Sequence, residues 1–180
     1  MTYEEVVALL EYHYWARDRT LAALDSVEPE LFARQLDGSF QSIRNTIVHI
    51  YAADLVWYSR WRGNSPTSLI SAGKFSDVPA LRSAWIDLEH NVWAFLHQVG
   101  NDGIRRKLEY NLFNGRPAGS PLWQTLQHVV NHASYYRGQI TTLLRQIDAA
   151  PPAAMDLITF YRDREARLPD QGAPDQAHGD

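Results

Sequence analysis

Apolar side chains recur at intervals of three and four residues in four long segments, which is the spacing of one buried face of an α-helix. These segments are 3–26, 42–61, 78–98 and 120–147. Polar or glycine-containing connections separate them, and the proline pair 151–152 ends the last one. Four amphipathic helices with short connections predict an all-α fold, an antiparallel four-helix bundle.

The predicted helix ends rest on residues that commonly cap helices. Asp77 is placed to cap the third helix, and Gly100 is placed to stop it. Ser120 followed by Pro121 is a typical N-cap with proline at the first helical position, so the fourth helix is expected to start there.

The segment 104–119 between the third and fourth helices has no helical period. Leu108, Tyr110 and Leu112 alternate with polar residues, and Asn114-Gly115 favours a tight turn. A small two-stranded hairpin is therefore predicted, as an excursion from the bundle and not as a second domain.

The C-terminal part of the chain is expected to close the domain. A short helix is predicted around 155–161, so that residues 1–166 form a single bundle domain. The last stretch, 167–180, is rich in Asp, Gln, Gly, Pro and Ala, and it is predicted to be a flexible tail that includes His178.

Composition narrows the classes of function. The 180 residues include no cysteine, which excludes a thiolate nucleophile, a zinc finger or an iron–sulfur site. A net charge of −4, with one small basic cluster at 105–107, argues against a nucleic-acid-binding protein. The sequence shows neither a secretory signal nor an apolar run near the roughly 18 residues of a membrane span. A cytoplasmic protein that binds neither nucleic acid nor a membrane is the expectation.

Three histidines form the candidate site. His128 and His132 lie one helical turn apart, a spacing that lets two imidazoles share one metal ion. His49 flanks the buried stripe of the second helix, and facing helices of a bundle can bring it to the pair. The three predict a divalent metal site with an open position, where an oxygen is polarised or the pKa of water is lowered. The remaining helical histidines are expected at the surface or periphery: His13, His90 and His97.

Several motifs together resemble the DinB-like family of small helical-bundle proteins, and the resemblance covers nearly the whole chain. The matching segments are 12–16, 42–50 with Trp57, 60–63, 128–132, 137–139 and 144–146. The resemblance implies a bundle, often a homodimer, that holds a divalent metal by three side chains. Relatives include metal-dependent S-transferases and isomerases that use low-molecular-weight thiols such as bacillithiol or mycothiol.

Residue by residue, the resemblance makes His49 the ligand of the second helix and His132 the first ligand of the last helix. The second ligand of the last helix usually stands directly before the Arg-Gly-Gln motif at 137–139, where this chain has Tyr136. Either His128 completes a shifted site, or the metal is weakly held or lost.

Two functions remain open from the sequence. In the first, the protein is a metal-dependent S-transferase, hydrolase or isomerase acting on a small molecule, with Tyr136 as proton donor. It would hold zinc, nickel, iron or manganese at His49, His128 and His132, and it would use an external low-molecular-weight thiol or activated water. In the second, it is a non-catalytic binding or structural bundle whose metal site has been lost. Three polar residues are candidates to orient the imidazoles: Asn45, Asp54 and Gln139.

Overall fold

The computed structural model describes residues 1–167, which form a helical bundle with one small hairpin. In chain order its elements are α1 (Tyr3–Leu24), α2 (Pro29–Ala33), α3 (Ile43–Trp61), a 3₁₀ turn (Ala72–Lys74), α4 (Val78–Gly103), β1 (Lys107–Asn111), β2 (Pro117–Pro121), α5 (Leu122–Gln146) and α6 (Leu157–Glu165). The predicted all-α bundle with a hairpin and a short closing helix is confirmed. No helix within 1–167 is long and apolar enough to cross a membrane. The tail predicted at 167–180 lies, apart from its first residue, outside the described residues.

Helices α3 and α5 run in opposite directions and form the largest helix–helix contact of the bundle. His49 faces His132, while Trp57, two turns further along α3, faces His128, one turn earlier along α5. This antiparallel packing places the aromatic and histidine faces of the two helices against each other.

Helices α3 and α4 run in the same direction, although they follow one another in the chain. Tyr51 packs against Trp85, and further along both helices Trp61 stacks on Phe95. Parallel neighbours need a connection that returns along the bundle. Residues 62–77 make that return.

Polar side chains occupy part of the inward face of α1. His13 is only 1% exposed, so the expectation that it lies at the surface or flank is wrong. Its Nε2 lies 2.8 Å from Asp54 Oδ2, and Trp85 Nε1 donates a hydrogen bond of 2.9 Å to the same oxygen. Burial of such groups is tolerated when they are paired. The helical pattern misplaces His13 because its partners lie on other helices.

Two helix ends differ from the predicted ones. Helix α4 continues past Gly100, which has φ 59° and ψ −172°, and ends at Gly103, so glycine kinks the helix where a stop was expected. Ser120 and Pro121 do not start α5, because both belong to strand β2, and the helix begins at Leu122.

The predicted hairpin is confirmed, with strands β1 and β2 pairing antiparallel. Tyr110 stands opposite Ala118 in the register, and the connection places Gly115 at φ 79°, which glycine adopts without strain. Leu108 is buried against the core. The hairpin thus covers one end of the face shared by α3 and α5.

Candidate functional site

His49 and His132 face each other across the contact between α3 and α5. Their Nε2 atoms are 3.2 Å apart, their ring centroids are 5.0 Å apart, and both residues are half-buried. Two nitrogen ligands of a tetrahedral ion, each about 2.0–2.1 Å from it, lie roughly 3.3 Å apart. The two Nε2 atoms are within hydrogen-bond distance of each other, and their separation is also close to that of two ligands of one metal ion.

Burial keeps both imidazoles neutral near pH 7. It lowers the pKa of His49 below its ordinary value. Burial is the main cause that lowers the pKa of His132 to about 4, and the neighbouring rings of His49 and His128 contribute to this lowering. The Nδ1 atom of His132 is buried and has no hydrogen-bond partner among the described residues. Neutral imidazole is the form that binds a metal, so both rings are in the form suited to ligation.

Tyr136 completes the immediate surroundings of the two imidazoles. Its ring centroid lies 4.7 Å from that of His132 and 4.6 Å from that of His49, with edge-to-face geometry in both pairs. Phe40 stacks on His49 at 4.2 Å, and Asn45 Nδ2 fixes this loop by donating a 3.0 Å hydrogen bond to the Phe40 carbonyl. Phe40 was not found from the sequence because it lies in a loop without a periodic pattern.

His128 is exposed beside these rings. The surface that the following side chains form together is called the cleft: Phe40, His49, Trp57, His128, His132 and Tyr136. The ring centroid of His128 is 5.7 Å from that of His132, and its ring meets the indole of Trp57 edge-on at 5.3 Å. Desolvation of the ring lowers the pKa of His128, and the positive charge of Arg60 lowers it further. The structure thus brings His49, His132 and Tyr136 into mutual ring contact and leaves His128 beside them. Within residues 1–167, no three His, Cys, Asp or Glu side chains are gathered as a set of metal ligands.

A comparison with known families tests the resemblance seen in the motifs. The DinB family model matches residues 1–167. The chain belongs to the DinB family. Protein DinB of Bacillus subtilis (strain 168) is 24% identical over 165 residues, an alignment that covers 87% of this chain and 95% of that protein. The match spans all four long helices, so all the candidate site residues lie within the part of the chain that matches the family.

The three polar residues expected to orient the imidazoles of this DinB bundle have different surroundings. Asn45 acts through Phe40, as described above. Asp54 hydrogen-bonds His13 and Trp85 in the core, although its charge raises the pKa of His132 and so offsets part of the lowering. Gln139 is half-buried one turn beyond the cleft. The histidines of α4 are both exposed, as predicted: His90 and His97.

Two nitrogen atoms in this DinB cleft suit a transition metal as ligands, namely Nε2 of His49 and Nε2 of His132. His49 and His132 have the required separation and protonation state. The third donor would be either the phenol of Tyr136, which is in ring contact with both, or the imidazole of His128. A neutral phenol is a weaker donor than an imidazole, and His128 is farther away. The third donor is thus either a close but weaker one or a stronger but more distant one.

Proposed function

We propose that this DinB-family chain is a metal-dependent enzyme acting on a small molecule, with His49 and His132 as two ligands and His128 as the third. The observation that supports it most is the 3.2 Å separation of Nε2 atoms on two neutral, half-buried imidazoles. Zinc, nickel, iron or manganese bound there would act as a Lewis acid toward an oxygen or sulfur of the substrate.

The side chains around the pair suit group transfer or isomerisation. The ring of Tyr136 contacts both imidazoles, which supports a role for its hydroxyl in donating a hydrogen bond or a proton to a bound substrate. The half-buried rings of Phe40 and Trp57 contact His49 and His128, and they would give a substrate apolar surface to pack against. A thiol for S-transfer must come from outside, because the chain has no cysteine. Water would take its place in a hydrolytic reaction.

The cellular setting belongs to the same proposal. The family resemblance favours a homodimer, and the absence of cysteine suits the reducing cytoplasm. The net charge of −4 favours a small-molecule substrate over nucleic acid.

A second function is favoured by two observations. Tyr136 stands where the family resemblance implies a ligand, and the three histidines are not gathered as a ligand set within the described residues. These features suit a bundle that has lost its metal and binds a small molecule in the aromatic cleft without catalysis.

Thiol consumption distinguishes the two functions. The metal-loaded protein is incubated with low-molecular-weight thiols and electrophilic acceptors, and the remaining thiol is titrated with a disulfide reagent. The protein contributes no background, since it contains no cysteine. The enzyme proposal predicts turnover by the wild type and by His90→Ala, a matched control at an exposed histidine, and none by His132→Ala or after chelation. Equal rates in all four samples would support the non-catalytic bundle.

A further inference from the structure

Arg60, at the end of α3, is a buried cation without a carboxylate partner. The residue is 5% exposed, and no carboxylate lies within 4.0 Å of its guanidinium in the part of the chain that the structure describes. Its Nη2 donates one hydrogen bond of 3.3 Å to the Asn111 carbonyl, while its buried Nε has no partner. Arginine stays charged in proteins even when buried, and an unpaired buried charge is costly.

The other two buried arginines within 1–167 have fuller sets of partners. Arg17 forms an ion pair with Glu89 at 2.7 Å. Arg137 donates a 3.0 Å hydrogen bond to the Ser134 hydroxyl and also reaches a main-chain carbonyl. Arg60 is thus the buried arginine whose charge and hydrogen-bonding capacity are least satisfied by the chain itself.

Aromatic rings surround the Arg60 guanidinium. Its Cζ lies 4.7 Å from the ring centroid of Trp57, 5.0 Å from that of Tyr110 and 5.3 Å from that of Phe113. Such rings attract a cation over their faces but accept no conventional hydrogen bond in its plane. Within the described residues, the Nε–H group of this guanidinium has no acceptor.

This aromatic cluster is continuous with the histidine cleft. Trp57 contacts Arg60 and also meets His128, whose ring is next to His132. Along α3, Arg60 is eleven residues beyond His49, which corresponds to about 16 Å of helix. The lowered pKa of His128 also reflects the nearness of the arginine charge. The rings of Trp57 and His128 therefore connect the Arg60 guanidinium to His132 by direct contacts.

We infer that Arg60 binds the carboxylate of an elongated anionic substrate, whose reactive end reaches His49 and His132 and whose middle packs against Trp57. The inference rests on the proposed function in taking the histidine cleft as the place of reaction. A carboxylate matches the flat N–H edge of a guanidinium through two parallel hydrogen bonds. Phe113, which is 45% exposed at the turn of the hairpin, covers this end of the cleft.

Calorimetric binding of 3-phenylpropionate, compared with its neutral amide, tests the inference on the metal-free full chain. The matched variants are Arg60→Gln and Arg62→Gln, which remove the same charge two residues apart. Arg62 is exposed. The carboxylate is expected to bind the wild type and Arg62→Gln within about twofold of each other, and Arg60→Gln about tenfold or more weakly. The amide is expected to bind the wild type about tenfold more weakly than the carboxylate.

Three results would overturn the inference: no carboxylate binding by the wild type, equal binding by Arg60→Gln, or equal binding of the amide. Thermal unfolding of Arg60→Gln checks that the variant is folded. Should it not fold, a nitrogen-15 titration of the wild type follows the Arg60 Nε–H resonance. A shift there on adding the carboxylate supports the site, and shifts confined to other residues contradict it.

Metal content separates this inference from the proposed function. Arg60→Gln is expected to bind as much metal as the wild type, because Arg60 is not a ligand. The double variant His49→Ala/His132→Ala is expected to keep its affinity for 3-phenylpropionate within about twofold while losing metal. Failure of the carboxylate site and failure of the metal site are thus seen in different measurements.

Discussion

His49 and His132 are separated by 83 residues in the chain, yet their Nε2 atoms lie 3.2 Å apart. The antiparallel packing of α3 and α5 produces this contact, and burial leaves both rings neutral. Neither residue alone forms a site. Their juxtaposition is what makes the cleft a candidate metal centre, and Tyr136 beside them stands where the family resemblance implies a further ligand.

Tyr136→His is predicted to bind zinc or nickel more tightly than the wild type. The substitution adds an imidazole one turn after His132, where the Tyr136 ring contacts both His49 and His132, and an imidazole is a better donor than a neutral phenol. We expect affinity to rise by about tenfold or more in competition with a chromophoric chelator. Tyr136→Phe keeps the ring and removes the oxygen, so it serves as the control. Equal affinity of the wild type and Tyr136→His would show that position 136 does not face the ion.

The stability of the metal-free protein is predicted to fall as the pH falls from about 6.5 to about 4. His132 has a folded-state pKa of about 4, below the unfolded value of about 6.5, so in this window the unfolded chain binds more protons. Protonation therefore favours unfolding. The loss of stability that His132 causes is largely complete near pH 4. The midpoint of thermal unfolding should decline less steeply for His132→Asn than for the wild type. Parallel declines would contradict the buried, neutral state of His132.

Asp54→Ala is predicted to destabilise the fold by about 3 kcal/mol, because it leaves the buried His13 and Trp85 without their shared acceptor. The control is Asp25→Ala, which removes a half-exposed ion pair with Arg82 and should cost less than about 1 kcal/mol. Urea unfolding measures both free energies. Similar losses for the two variants would mean that the His13–Asp54 contact adds no more than a surface pair.

The sequence predicts the helices because their apolar spacing is regular, and it predicts the hairpin because Asn114-Gly115 supplies the turn. It fails at His13, since burial of a polar side chain depends on partners from other helices. It also misplaces the start of α5. Ser120 and Pro121 have the residue types of a helix start, but the hairpin uses both for strand pairing.

The candidate site is predictable where it depends on helical spacing. His128, His132 and Tyr136 follow one another at one-turn intervals, so their common side of α5 can be read from the chain. The stacking of Phe40 on His49 and the aromatic surroundings of Arg60 are not readable in this way. Both involve loop or hairpin residues whose positions depend on the tertiary fold.

Metal stoichiometry tests most directly whether His49 and His132 hold an ion. The full chain is prepared without an affinity tag, stripped with chelator, reloaded separately with zinc, nickel, manganese or iron, dialysed and measured by elemental analysis. We predict about one ion per chain with at least one of these metals, for the wild type and for His90→Ala, and almost none for His49→Ala/His132→Ala. Absence of stoichiometric metal with all four ions, or equal metal in the double variant, would contradict the proposed site.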